Sequence, residues 1–391
     1  MRLGFVTPRY GPQIMGGAET AARMLAEHAV ATLGWPVEVF STCALDHISW
    51  ENELPEGDSE INGVVVHRFP TASPRSADFF ALDGILKHDP AGATPQEATQ
   101  WVALNGPDAP GLFDAIADTD CDVVAFYPYL FASTVEGVRR CRAATVLHPA
   151  AHDEPALYLS VFREIFSSAS ALVYHTEAER KLVQRVFPVA ERHQTVLGLG
   201  IGEMCGTGRP GGEILGIGDR PYLVSVGRVD EMKGSKALAA FFREYKRLYP
   251  GPLALALVGP VSVELPDHPD VVVTGPVDEA DKWDILAGAV GFVSPSAYES
   301  FSLVIMEAWA AGLPVLVNGT CAVTREHCEL SGGGLWFGSF REFARVVGYL
   351  CTHPDAGREL GSRGRRYVEE RYRWPELIQR YGTFLEKVVI R

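Results

Sequence analysis

The sequence predicts an α/β chain built from two parallel-sheet domains in succession, and three observations carry that prediction. Short β-branched apolar runs alternate with helical stretches along the whole length. At 391 residues and 47% hydrophobic content, the chain is too long for one sheet domain and long enough to bury two cores. A glycine-rich stretch at about 197–220, containing Gly198-Leu199-Gly200-Ile201-Gly202, marks the linker between the two halves.

The first half opens with the strand Arg2–Thr7, a loop Pro8–Met15, and Gly16-Gly17 entering a helix over Thr20–Ala31. Two adjacent glycines at a helix start remove side chains where backbone must approach something, either a phosphate or only its own tight turn. Neither this pair nor Gly198–Gly202 has the spacing of a dinucleotide-binding G-x-G-x-x-G. The stretch Ser73–Pro110 reads as irregular. Beyond the strand at Ala144–Leu147 comes His148-Pro149-Ala150-Ala151-His152-Asp153-Glu154-Pro155, whose polar end opens onto the carboxyl edge of a sheet. Pro149 prevents a helical i, i+4 pairing of the two histidines, which disfavours a metal site there.

In the second half, Tyr222–Val226 has the composition of a buried parallel strand ended by Gly227. Arg228 and Lys233 therefore fall in the loop at the strand's carboxyl end, where open α/β sheets bind ligands. Ala289–Ser294 reads as another strand, Pro295–Ser300 as a loop, and Phe301–Ala311 as a helix ended by Gly312 and Pro314. Its free N–H groups, at about Phe301–Leu303, face the same edge. A guanidinium, an ammonium and a helix N-terminus together can neutralise a pyrophosphate without a metal ion. The small residues Ser300 and Ser302 let backbone donors approach a ligand closely. Glu307, one turn beyond Leu303, is placed to accept from paired hydroxyls such as those of a ribose, and Glu299 lies nearer the sugar. The pattern describes a pocket for a sugar nucleotide.

These residues also resemble a known family. Gly-Arg-x-x-x-x-Lys-Gly followed by Pro-Ser-x-x-Glu-Ser-Phe-Ser-Leu-x-x-x-Glu-Ala-x-x-x-Gly-x-Pro-Val is similar to the donor-binding half of family 4 retaining glycosyltransferases of the GT-B fold. The resemblance implies two Rossmann-like domains facing a central cleft: residues 1–197 on the acceptor side and 198–374 binding the donor, with a terminal helix in 375–391 returning to the first domain. It implies that Arg228 and Lys233 hold the donor diphosphate, that Glu299 lies by the transferred sugar and that Glu307 binds the ribose. Gly16 and Gly17 would come beneath the donor phosphates, and His152 beside the reacting sugar. Catalytic residues are thus His152 and Glu299, with donor binding by Gly16, Gly17, Arg228, Lys233, Ser300, Phe301, Ser302, Leu303 and Glu307. Many members carry Glu-Gly-Phe-Gly where this chain has Glu-Ser-Phe-Ser.

Two overlapping D-x-D triplets in Asp118-Thr119-Asp120-Cys121-Asp122 mimic the metal signature of the other major glycosyltransferase fold. Here they precede the apolar strand Val123–Tyr127, so they lie at the amino edge of the sheet, away from ligands. No metal and no cofactor is expected.

Net charge is -14, with 14 Lys and Arg against 25 Asp and Glu up to residue 196 and 21 against 24 beyond it. Such a balance does not favour nucleic acid or an anionic membrane surface. Seven cysteines without C-x-x-C spacing, no transmembrane-length apolar run and no signal-peptide pattern indicate a cytoplasmic protein. The expected activity is retaining transfer of a hexose-type sugar from a nucleotide-diphosphate sugar to an acceptor hydroxyl, soluble or lipid-linked. A sugar-nucleotide epimerase and a binding protein without transferase activity are the alternatives, and a phosphorylase would need a far longer chain.

Overall fold

The computed structural model describes every residue except Met15 and Arg391. The last positions of the expected loop Pro8–Met15 and of the segment 375–391 therefore lie outside the described residues. The chain forms two compact units, one of Met1–Leu199 with Trp374–Arg391 and the other of Gly200–Arg373.

In the first unit the elements run β1 (Leu3–Val6), α1 (Gly17–His28), β2 (Val37–Thr42), β3 (Gly57–Ile61), β4 (Val64–Phe69), α2 (Ala77–Leu86), α3 (Pro95–Asn105), α4 (Pro110–Asp118), β5 (Val123–Phe126), α5 (Ala132–Arg140), β6 (Ala144–Leu147), α6 (Phe162–Ser168), β7 (Ala171–Tyr174), α7 (Glu177–Val186) and β8 (His193–Val196). Its eight strands lie in the order β3-β4-β2-β1-β5-β6-β7-β8. All neighbours are parallel except the β3–β4 hairpin at one edge. Strands β1, β5 and β7 are buried at every position, as helices on both faces of a parallel sheet require.

The second unit contains α8 (Gly211–Ile214), β9 (Tyr222–Val226), α9 (Ser235–Leu248), β10 (Ala254–Val258), β11 (Val271–Gly275), α10 (Glu279–Gly288), β12 (Gly291–Ser294), α11 (Leu303–Ala310), β13 (Val315–Asn318), α12 (Ala322–Ser331), β14 (Gly334–Phe337), α13 (Phe340–Thr352) and α14 (Pro354–Arg371). Its six strands are parallel, in the order β11-β10-β9-β12-β13-β14. The order reverses direction at β9 and β12, so the loops after these two strands lie side by side at the switch point where such sheets bind ligands. Those loops hold Arg228, Lys233 and Glu299.

The structure corrects several expectations. The stretch Ser73–Pro110 is mostly helical, because Ser76 caps α2 and Thr94 forms a capping box with Glu97 at the start of α3. The first helix begins at Gly17, three residues early, and continues beyond His28 as one π-helical turn over Ala29–Leu33. The helix expected at Phe301 starts at Leu303, since Ser302 is left-handed with φ of 72°. The long helix α14 stops at Arg371.

The final helix α15 (Trp374–Val389) belongs to the first unit. Pro375 sits inside its first turn, where no N–H is needed, and the break from α14 falls at Tyr372–Arg373. Leu377, Ile378, Tyr381 and Leu385 are fully buried. Trp374 stacks on His28 at 3.9 Å and Phe384 on His193 at 4.5 Å. Among the described residues, no helix is long and apolar enough to cross a membrane.

Because this face is buried, Leu377→Ala is expected to cost about 2–5 kcal/mol. Tyr381→Phe, which strips His148 Nε2 of a 2.9 Å partner, is expected to cost about 1–3 kcal/mol. Urea unfolding reads both, and unchanged midpoints would mean that α15 contributes nothing to the first unit.

Candidate functional site

The loop after β9 is organised by an acid that the sequence did not single out. Asp230, only 8% exposed, accepts from the Lys233 backbone N–H at 2.7 Å and lies 3.3 Å from Arg228 Nε. It thus ties together the backbone of the lysine and the guanidinium of the arginine. Gly234 then opens α9 with φ of 75°, and a Cβ there would stand 2.9 Å from the Pro295 carbonyl oxygen. Only glycine fits a left-handed turn packed this closely on the neighbouring loop.

Across from it, the loop Pro295–Ser300 is braced by Asn318, which donates to the Pro295 carbonyl at 3.0 Å, and by the Ser296 hydroxyl on the Tyr298 carbonyl at 3.0 Å. Lys233 Nζ meets Glu299 Oε1 at 2.6 Å. The structure therefore joins two of the expected residues into one ion pair, while the Arg228 side chain remains nearly half exposed beside them.

Glu307 lies one turn into α11 and pairs with Lys282 Nζ at 2.8 Å. Lys282 also meets Glu279 at 2.7 Å. Burial alone would lower the Lys282 pKa, but Glu307 and Glu279 outweigh it and hold the ammonium protonated. Burial pushes Glu307 up, offset in part by Lys282. Lys282 and Glu279 are the residues that sequence reasoning missed. The available signal was Asp278, which caps α10 by accepting from Asp281 N–H and so puts the first turn of α10 at the carboxyl end of β11.

At the start of α11 the expected donors divide. The Phe301 ring is core, 2% exposed and packed edge-on against His327 and Tyr372. Ser302 is 6% exposed, left-handed, and its Oγ is buried without a hydrogen-bond partner. Ser300 and Leu303 are half-buried. The helix N–H groups nearest the edge accordingly begin at Leu303.

In the first unit, Gly16 and Gly17 have different reasons to be glycine. A Cβ on Gly16 would lie 2.2 Å from Glu19 Oε2, because Glu19 folds back over the helix start to a buried ion pair with Arg9. A Cβ on Gly17 would meet nothing within 4 Å. Gly16 is thus explained by packing, and only Gly17 leaves open space in front of the helix.

His148 and His152 do not act together. His148 is fully buried, stacked on Tyr127 at 4.2 Å, and its pKa is driven well below the usual histidine value by burial and by His175. His152 is partly exposed, with Nδ1 3.1 Å from Glu154 Oε1. The Tyr129 hydroxyl donates to that same oxygen at 2.9 Å. Burial would raise the Glu154 carboxyl, yet His152 and Tyr129 hold it below its usual value. An ionised carboxylate 3.1 Å from Nδ1 restrains the ring's orientation. Glu154 was visible in the sequence only as a neighbour of His152. Asp153, beside it, pairs outward with Arg185.

The acidic triplets of Asp118–Asp122 precede β5, and Asp120 and Asp122 both engage Arg2, Asp122 through the arginine's backbone N–H at 2.7 Å. Among the described residues, no group of three or more His, Cys, Asp or Glu could hold a metal ion.

Comparison with known proteins gives these features their setting. The solved structure of sucrose-phosphate synthase from Thermosynechococcus elongatus superposes with a TM-score of 0.73 at 18% identity, covering 99% of this chain and 98% of that one. HepE from Anabaena, solved in complex with UDP-glucose, gives 0.71 at 16% identity, covering 99% and 100%. The chain has the GT-B fold. Residues 220–353, inside the second GT-B unit, match the family model described as Glycosyl transferases group 1. The curated trehalose synthase of Rubrobacter xylanophilus is 25% identical over 180 residues, which are 41% of this chain. The match spans 42% of that protein's own length.

Ser302 offers a test of the local reading. A left-handed non-glycine residue costs about 1–3 kcal/mol and an unpaired buried hydroxyl about as much again, against about 0.5–1 kcal/mol for the added flexibility of glycine. Ser302→Gly is therefore expected to raise the melting temperature of the unliganded protein, and a lower value would mean that the Oγ has a stabilising partner.

Proposed function

We propose that this GT-B chain is a glycosyltransferase that moves a hexose-type sugar from a nucleotide-diphosphate sugar to an acceptor hydroxyl, with retention of configuration and without a metal ion. The observation that carries the reading is the Lys233–Glu299 pair at 2.6 Å on the carboxyl edge of the second sheet, next to Arg228 and the start of α11. A cation bound directly to a carboxylate suits a ligand that presents a phosphate and a sugar hydroxyl side by side. Lys282 and Glu307 form a second such pair, suited to a nucleoside whose ribose offers two hydroxyls. The UDP-glucose bound to the HepE neighbour supports a nucleotide-sugar donor, as does the group 1 match over residues 220–353.

In this mechanism Arg228, Lys233 and the N–H groups from Leu303 onward stabilise the negative charge that grows on the leaving diphosphate. Glu299 orients the sugar and keeps the Lys233 ammonium in place. His152, its Nδ1 held by Glu154, acts at the transferred sugar. No carboxylate is assigned as a covalent nucleophile, so the acceptor hydroxyl attacks on the face from which the diphosphate leaves and passes its proton to that leaving group. The cytoplasm is the proposed setting, which fits seven cysteines that are all free thiols.

The first test is thermal-shift screening with UDP, GDP, ADP and their sugar conjugates in EDTA, since ligand that binds the folded state raises the melting temperature by mass action. One nucleotide series is expected to stabilise the protein without metal, and no shift with any of them would overturn the assignment. Lys233→Ala is expected to lower sugar transfer at least about tenfold, because the leaving diphosphate then develops its charge without the ammonium beside it. Binding without transfer to any acceptor or to water would identify a sugar-nucleotide sensor.

A further inference from the structure

The loop that carries His152 is held from behind by a carboxylate that belongs to neither the donor site nor the His152–Glu154 pair. Glu179 lies in the first turn of α7, where the Thr176 hydroxyl accepts from its N–H at 3.1 Å and caps the helix. Its side chain folds back toward the strand end instead of reaching for solvent, and is 1% exposed. Oε2 accepts from the His175 N–H at 2.7 Å, and Oε1 accepts from the Ala151 N–H at 2.8 Å. One carboxylate thus joins the end of β7 to the residue next to His152, 28 positions away.

Ala150, just before that amide, is left-handed with φ of 51°. Alanine does not favour this conformation, so the loop holds it only because its surroundings over-determine it. The hydrogen bond from Ala151 to Glu179 on one side and the bond from Tyr129 N–H to the Pro149 carbonyl on the other supply that constraint.

We propose that Glu179 is a positioning residue for His152, fixing the imidazole through the amide of Ala151. The inference rests on the proposed role of His152 at the transferred sugar, and Glu179 touches no reacting atom. Glu154 lies against Nδ1 of the ring; Glu179 sets where the ring stands.

The ionised carboxylate presents acceptors to both amides, whereas a protonated one turns one oxygen into a donor. Burial pushes the Glu179 carboxyl up to about 7, even though the amides of His175, Ala151 and Thr176 and the charge of His152 all act to lower it. The groups facing it are Tyr127 at the end of β5, Tyr174 and His175 at the end of β7, His152 on the loop, and Arg180 beside it on α7. Burial keeps His175 neutral, with its pKa lowered to about 4. Because the folded value lies above the usual carboxylic acid range, stability from this group is fully present below that range and is lost as pH rises through about 7. Positioning runs the other way, strengthening as the carboxylate ionises over the same interval.

Glu179→Gln separates these effects, since the amide keeps the shape, removes the titration and sets an NH2 group against one of the two backbone donors. The expected result is a loss of turnover of at least about tenfold with the donor KM changed less than about twofold. The rise of kcat through about pH 7 should also disappear, and the His152 ring signals in histidine-labelled protein should titrate differently from wild type. Wild-type kcat, pH profile and His152 titration in this variant would overturn the proposal. If the wild-type chain transfers no sugar, the transferase reading fails by itself. The His152 titration then decides the coupling alone, a changed titration supporting it and an unchanged one refuting it. Nucleotide stabilisation, which reads only the second unit's site, should be the same in both proteins.

Discussion

A carboxylate withdrawn from water must find donors or a cation, and the loops at the carboxyl ends of these strands take their shape from how each acid meets that demand. Such loops have no ladder partner to fix them. Asp230 satisfies the demand with a backbone N–H and a guanidinium, Glu299 with Lys233, Glu307 with Lys282, Glu154 with His152 and Tyr129, Glu19 with Arg9, and Glu179 with two amides. Most of these pairings span two loops, or a loop and a helix start. The acids therefore act as fasteners first, and whatever chemistry they perform begins from positions already fixed.

Besides Trp50 and Asn62, two of the described residues with side chains adopt left-handed backbone at these loops, Ala150 before His152 and Ser302 before α11. Both stand where a regular helix or strand would aim the next backbone groups differently. Ser302 ends the helical path two residues short of Phe301, which turns the Phe301 ring into the core and leaves Leu303 as the first helical N–H. Ala150 sets the direction of the Ala151 amide and, with it, of the imidazole that follows. Strain of this kind persists only where neighbouring groups offset it, and in both places those neighbours are buried.

What the sequence made legible followed from local rules. Tyr222–Val226 is the strand β9 at the residues expected, because a run of buried β-branched and aromatic residues closed by glycine has few other fates. Arg228, Lys233, Glu299 and Glu307 could be placed on one edge since each follows a strand by a fixed number of residues. Their partners were harder to see. Lys282 lies within a helix, where a lysine ordinarily points to water, and its ion pair with Glu307 closes over 25 residues. Glu179 looked like one charged residue among several in Glu177-Ala178-Glu179-Arg180. Helices α2 and α3 were missed because the apolar residues of Ala77–Leu86 lie all around the helix instead of on one face, leaving no period to detect. The Thr94–Glu97 capping box was the remaining signal, and it is a signal of two residues.

The same contrast explains how the GT-B fold persists at 16–18% identity to its solved neighbours. A parallel strand needs only apolar residues of suitable shape, a requirement that many sequences meet, so the sheets tolerate nearly complete replacement. The edge loops are stricter: a pair such as Lys233–Glu299 works only if both members remain and both loops keep their length. The unliganded site also holds its cations against its own carboxylates. On the proposed reading, donor binding shares those ammonium groups between acid and phosphate and does not have to order free side chains. That arrangement lowers the conformational cost of binding and leaves the positive charge in place before the leaving group needs it. Loss of Glu299 would then weaken the site in two ways, by removing an acceptor for the sugar hydroxyls and by releasing Lys233.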